Sequence, residues 1–335
     1  MISRSIALLF VVVSAISGMQ GASSPAQSKA IKYQEARRLM WAQFEIVAFG
    51  SDRARLSAAA AAAFEEIERL DNQMSNYSDT SELTYINRNA ARQEVIVEKE
   101  LFEFLKTSVD YSKKTDGAFD ITVGPLMRAW GFFDNKGRVP GTDELGSVMD
   151  RVGYKHVIFD DRRHTIRFDR DGVELDLGGI AKGYAVDRAA EILKTSGVSS
   201  AFITCGSSIR AIGAAEGQAG WRVEVTDPTK RGRHLESLDI KDQAISTSAC
   251  REKTFESDGK TYCHIMDPRT GQPIETVISA TIITDSGVEA EVLSKAVMVL
   301  GIDKSRALLK SKPGARALMY YRQLDGGLGC ERLNF

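Results

Sequence analysis

A short stretch at residues 176–187, DLGGIAKGYAVD, packs an acidic residue, a glycine pair, a lysine and a further glycine into one turn that enters a helix. Glycine lets the backbone come close to a ligand, and a helix N-terminus aims unpaired N–H groups and partial positive charge at anions. Lys182 adds a full charge on the same turn. These residue types suit a nucleotide pyrophosphate. They suit equally a strand-to-helix connection that needs glycine for steric reasons alone. No G-x-G-x-x-G follows a strand and no G-x-x-x-x-G-K-S/T is present, so neither the Rossmann nor the P-loop phosphate site applies.

The chain has 335 residues, enough for one large domain or two closely packed ones. Forty-four basic residues face 45 acidic ones, a net charge of −1, so nothing general favours nucleic acid or an anionic membrane as partner. Arg4 precedes an apolar run at residues 6–16, IALLFVVVSAI, followed by small and polar residues. That is the layout of a secretory signal, too short for a comfortable membrane span. The expected division is a signal at 1–24, cleaved somewhere in 17–24, and one domain at 30–335. An uncleaved anchor is the alternative and the one membrane contact expected; either way the compartment is the periplasm or cell envelope. Cys205, Cys250, Cys263 and Cys330 allow three complete pairings or free thiols, and none has C-x-x-C or zinc spacing.

Periodicity predicts a polar lead-in at 27–39, a strand at 41–49, helices at 56–72, 82–87 and 98–115, and short strands at 156–160, 165–169 and 173–177. A helix at 182–196, strands at 201–204, 221–226 and 278–284, a helix at 288–300 and a last strand at 318–322 complete the reading. Strands and helices intermix without a βαβ rhythm, which favours an α+β class.

Two further clusters carry chemistry. In His264-Ile-Met-Asp267-Pro268-Arg269-Thr270-Gly271, a proline–glycine turn holds a proton-exchanging histidine close to an arginine that suits phosphate; a plain structural turn fits as well. Upstream, Ser246-Thr247-Ser248 reads as a turn. The segment at 119–133, FDITVGPLMRAWGFF, offers Trp130, Phe132 and Phe133 as walls for a flat ring or as core.

Together, DLGGIAKGYAVD, HIMDPRTG, FDITVGPLMRAWGFF, AFITCGSSIRAIG and the early MSNYSDTSEL at 74–83 resemble the FAD:protein FMN transferases, the ApbE family, in order and spacing over about residues 40–301. The resemblance implies a T-fold-like (tunnelling-type) α+β architecture, mixed sheets flanked by helices. It also implies an enzyme that takes FAD, transfers FMN onto a threonine or serine hydroxyl of an exported acceptor protein and releases AMP, with magnesium as the usual cofactor. By the same resemblance, Met40, Tyr77, Ala118, Phe119, Asp120, Asp176, Lys182, Ile265 and Ser294 contact FAD, and His264 is the general base. Acceptors of the family carry an Asp-x-x-Ser/Thr-Gly-Ala-Thr-like stretch. This chain has none, so its acceptor is another protein.

The chain departs from the family at the metal. A carbonyl from Gly179 matches, but the aspartate and threonine positions on the late helix read Glu291 and Lys295. Lysine has three donors and no acceptor, so it cannot ligate a cation. Glu291 four residues before Lys295 is instead the favoured order for a helical ion pair. The family's Asn-x-Gly-Gly-Asp also becomes Thr204-Cys205-Gly206-Ser207-Ser208, removing a carboxylate. Three readings follow: a transferase in which Lys295 takes over part of the metal's work, a protein that binds FAD without cleaving it, or a transferase with a displaced metal on Asp285 or another acid.

Overall fold

The computed structural model describes residues 30–134, 136–323 and 325–335. The signal-like run and its cleavage region lie outside them. No described helix is long and apolar enough to cross a membrane.

The architecture is α+β. Eight strands form the main sheet in chain order: Ile31–Leu39, Ala42–Gly50, Ser200–Cys205, Ser208–Ile212, Ala244–Ala249, Val277–Thr284, Arg316–Arg322 and Leu328–Leu333. Every neighbouring pair is antiparallel. Side chains alternate across this sheet. Phe44, Ile46, Ala48, Ala201 and Ile203 face a helical layer, while Val47 and Phe202 face a two-stranded ribbon, Trp221–Thr226 with His234–Ile240. The helical layer contains the long first helix, Arg53–Met74, and the motif helix, Ala181–Thr195.

Four expectations change. Residues 31–39 are an edge strand, not a lead-in; one face is half-buried and the other charged, so IKYQEARRL lacks the apolar alternation that marks inner strands. Residues 173–177 join no sheet: Asn87 and Asn76 take the Leu175 backbone groups, Asp176 N bonds the Ile121 carbonyl, and the Leu177 carbonyl serves the turn that follows. Residues 246–248 belong to an inner strand, not a turn: Ser246 and Ser248 face Ser294 on the late helix, and Thr247 meets Thr281 across the sheet. The strand at Arg316–Arg322 does not close the sheet, since Leu328–Leu333 lies outside it.

The site is positioned by the motif helix and the late helix, Gly287–Lys310. They touch at two glycines: a Cβ on Gly183 would stand 2.2 Å from the Gly287 carbonyl oxygen, and one on Gly287 2.6 Å from that of Gly183. Asp187 closes the motif by capping the other helix. Its carboxylate accepts from Gly287 N (2.8 Å), Val288 N (3.1 Å) and Ser286 Oγ (2.9 Å), and pairs with Arg210 (3.2 Å). Orphan N–H groups at a helix start are thereby satisfied by a negative charge. Asp187→Ala is expected to cost about 2 kcal/mol, and Gly183→Ala roughly 1–3 kcal/mol by forcing the helices apart. Urea unfolding followed by tryptophan fluorescence checks both.

Candidate active site

The glycine turn is held from behind. Asn87 receives the Leu175 N–H at 2.8 Å and returns a bond to the Leu175 carbonyl at 3.0 Å, which Asn76 also meets at 3.1 Å. Asp176 N donates to the Ile121 carbonyl at 2.6 Å, tying this turn to the 119–133 segment. The Asp176 carboxylate accepts from Gly178 N at 2.8 Å and Asn76 Nδ2 at 3.4 Å. Burial holds its carboxyl above the usual carboxylate range, although Gly178 N–H and the charges of Lys182 and Lys253 pull the other way.

Beside this turn lies the Glu291/Lys295 pair. A Cβ on Gly179 would stand 3.3 Å from Lys295 Cδ and 3.3 Å from Phe119, so the lysine stem runs along the turn whose carbonyl was expected to bind metal. Glu291 is only 1 % exposed. One of its oxygens accepts from Ser208 Oγ and the other from Lys295 Nζ, which also reaches the Glu291 carbonyl at 3.2 Å. Burial alone would raise the Glu291 carboxyl, but the charges of Lys295 and Lys182 hold it below the ordinary value. The expected metal positions therefore do come together, as an ion pair rather than a ligand set. Ser294, expected at the cofactor, is fully buried one turn on; its hydroxyl donates to the Glu291 carbonyl (2.9 Å) and meets Ser248 (2.8 Å).

Magnesium does not fit these residues. Of the side chains at the expected positions only Glu291 offers oxygens, both of which already accept from Ser208 or Lys295; Lys295 puts a donor-only ammonium where a ligand was expected, and Asp285 is exposed. A dication about 4 Å from an ammonium would meet roughly 8 kcal/mol of repulsion at an effective dielectric of 20.

His264 sits against Lys253. The Lys253 carbonyl accepts from His264 N (3.1 Å) and lies 3.0 Å from Nδ1, which fixes Nδ1 as the protonated nitrogen and leaves the lone pair on Nε2. The Lys253 ammonium donates to the Phe132 carbonyl. A disulfide, Cys250–Cys263, closes the loop that carries Lys253 and ends beside His264. Of the three possible pairings the structure contains this bond, leaving Cys205 buried and Cys330 exposed as thiols. Burial, with Lys253, Lys295 and Lys182 nearby, lowers the imidazole from 6.5 to about 4. Ile265, next in line, is buried.

The aromatic wall divides. Trp130 and Phe132 are core, with Trp130 Nε1 donating to the Gly271 carbonyl at 3.0 Å and so locking two motifs together. Phe133 instead meets Tyr77 edge-on at 6.0 Å, and Tyr77 lies 5.5 Å from Trp41. Trp41 and Met40 form the two-residue tip between the first strands, with φ of 59° and 48°, a conformation that normally selects glycine or asparagine. Met40 N is held by Asp71 at 2.7 Å. A cavity of about 380 Å³ opens here, lined by Met40, Trp41, Asp71, Ser75, Tyr77 and Ser78.

Asp120 is buried, with Thr122 N (2.8 Å), Thr122 Oγ1 (2.7 Å) and Tyr154 N (2.7 Å) on its oxygens, so it braces the loop that bears the buried Ala118 and Phe119. Asp267 holds Arg269 in a two-pronged pair at 2.8 Å, which makes that segment a braced turn. Sequence reasoning missed Lys253 and Trp41. The pairing of Cys250 with Cys263 would have drawn attention to the first. For the second, the signal was its place beside Met40 at a hairpin tip that looked like a strand start.

The ApbE family model matches residues 40–319. This chain belongs to the ApbE family. It is 32% identical over 286 residues to the FAD:protein FMN transferase of Treponema pallidum, covering 80% of this chain and 79% of that one. It is likewise 32% identical to the FAD:protein FMN transferase of Vibrio cholerae, over 78% of each. Among solved structures, the ApbE protein of Thermotoga maritima superposes with a TM-score of 0.82 at 34% identity, covering 90% of this chain and 97% of that one. The apo flavinyl transferase ApbE of Pseudomonas stutzeri also gives 0.82, at 27% identity over 92% and 96%. The ApbE architecture expected from the sequence is therefore present, with antiparallel pairing throughout the main sheet.

The lowered imidazole has a consequence for stability. Folding favours the neutral ring, so between 6.5 and about 4 the unfolded chain binds the extra proton and the folded one does not. Stability contributed at neutral pH is lost as pH falls through that window. Acidification from pH 7 to 4 is expected to cost the native protein roughly 3 kcal/mol more than His264→Gln, read from urea midpoints at a series of pH values.

Proposed function

We propose that this chain is an FAD:protein FMN transferase that moves the FMN half of FAD onto a threonine or serine hydroxyl of an exported acceptor protein and releases AMP. One observation carries the reading: Lys295 packs along Gly179 of the glycine turn, Lys182 reaches back to the Gly178 carbonyl, and both act on His264, whose Nδ1 is held by the Lys253 carbonyl, in a chain whose relatives bear that name. The lysines suit a pyrophosphate, and the Met40–Trp41–Tyr77–Phe133 end suits a flat ring.

The chemistry needs charge neutralisation and alignment more than covalent help. The acceptor oxygen attacks the phosphorus of the FMN half, the bond from that phosphorus to the bridging oxygen breaks, and AMP departs with that oxygen. The hydroxyl proton passes to Nε2 of His264. An imidazole near 4 is a weak base, but part of its depression comes from the lysines. Two phosphate charges bound among them offset that field and raise its basicity when FAD is present.

Export is supported by the signal-like run and by the Cys250–Cys263 bond, which suits an oxidising compartment. A second reading, FAD storage or delivery without transfer, draws on the absence of a metal ligand set at Glu291 and Lys295.

The test mixes purified mature protein, FAD and an exported domain bearing the acceptor stretch, and follows AMP by chromatography and the acceptor by mass. AMP is expected one-to-one with FMN-bearing acceptor. His264→Gln should lower kcat about 10²–10³-fold. Because the base works unprotonated, kcat/KM should hold as pH falls and drop only on approaching about 4. FAD retained with no AMP under any condition supports the storage reading instead.

A further inference from the structure

The Glu291–Lys295 pair is not an ordinary helical ion pair. Such pairs sit on solvated faces and contribute little; this one is anchored on a carboxylate with 1 % exposure, packed against the glycine turn. Ser208, from the strand Ser208–Ile212, holds the far oxygen of Glu291. Two of the three Nζ donors meet Glu291, through its carboxylate and its own carbonyl. The third has no partner among the described residues, so one N–H is left for an incoming oxygen. The lysine stem lies along Gly179, where a methyl group would touch it at 3.3 Å, so the ammonium is steered by packing as well as by charge. Lys295 also bears electrostatically on His264. Turn, base and ammonium therefore share one locality.

We propose that the Lys295 ammonium, held by Glu291 and Ser208 against the Gly179 turn, is the built-in cation of this site and that it takes the FAD pyrophosphate without a divalent metal. The inference rests on the proposed function for the identity of the ligand. It deepens that reading by assigning Lys295 to the bound pyrophosphate and Glu291 and Ser208 to positioning Lys295. One donor and one positive charge meet a phosphate oxygen. Both carboxylate oxygens already accept from Ser208 or Lys295, and the ammonium stands on one of them, where a dication would be repelled.

The experiment measures FAD binding by fluorescence polarisation on metal-stripped protein, with either EDTA or millimolar magnesium chloride, and measures transfer in parallel. The native protein is expected to bind FAD equally, within twofold, in both conditions, and calorimetry with magnesium alone should give no binding. Lys295→Met should weaken FAD binding tenfold or more, with no rescue by magnesium, and Lys295→Arg should recover most of it. Because Lys295→Met leaves a buried carboxylate unpaired, Glu291→Gln/Lys295→Met serves as the companion variant that strands no charge, with the same weakening expected. FAD binding that tightens tenfold or more with magnesium overturns the proposal, even if transfer is observed. Native-like binding by the companion variant overturns it too. Metal-indifferent FAD binding without transfer sinks the transferase reading and leaves this assignment standing. No FAD binding in either condition sinks both.

Discussion

Asp187 accepts bonds from the first two N–H groups of the late helix while it rides on the motif helix, and the two backbones touch at Gly183 and Gly287. The glycines let the helices approach, and the carboxylate fixes how far one has slid along the other. Glu291 and Lys295 lie one and two turns into the capped helix, and Gly178 and Gly179 immediately precede the other. Their juxtaposition therefore follows from a contact that does no chemistry. The Asp187 cap and the close approach of Gly183 to Gly287 set how the glycine turn and the charged pair lie together.

This explains which parts were legible in the sequence. The motif DLGGIAKGYAVD pointed to a ligand, and half of its content is structural: Gly183 and Asp187 serve the helix crossing, while Asp176 braces the glycine turn and Gly179 packs against Lys295. The late helix and the Glu291/Lys295 departure were readable because residues four apart share a face. The edge strand Ile31–Leu39 was not, because a strand with only one half-covered side needs few apolar residues. The serines of Ala244–Ala249 read as a turn because nothing local reveals that their hydroxyls are satisfied by Ser294 across the core. Long-range satisfaction of polar groups leaves no periodic trace.

Aromatic residues divide by the same logic. Trp130 is committed to Gly271 and a packed cluster, and Trp221 stacks on Phe202 beneath the ribbon. Trp41 is the exception, three-quarters exposed on a turn whose positive φ values suit neither Trp41 nor Met40. Backbone strain of that kind persists only where the surroundings enforce it. Here the Asp71 bond to Met40 and the register of nine paired residues on each side do so.

A bound ion fills its site by mass action, so a metal-dependent protein changes with the composition of its surroundings. Lys295 arrives at one copy per site when the chain is made, and its occupancy is a matter of folding alone. On the proposed assignment, the Glu291–Lys295 pair removes a free-ion concentration from the variables that govern pyrophosphate binding. What remains is an entropic term settled once, when the helix forms and the side chain is laid along Gly179.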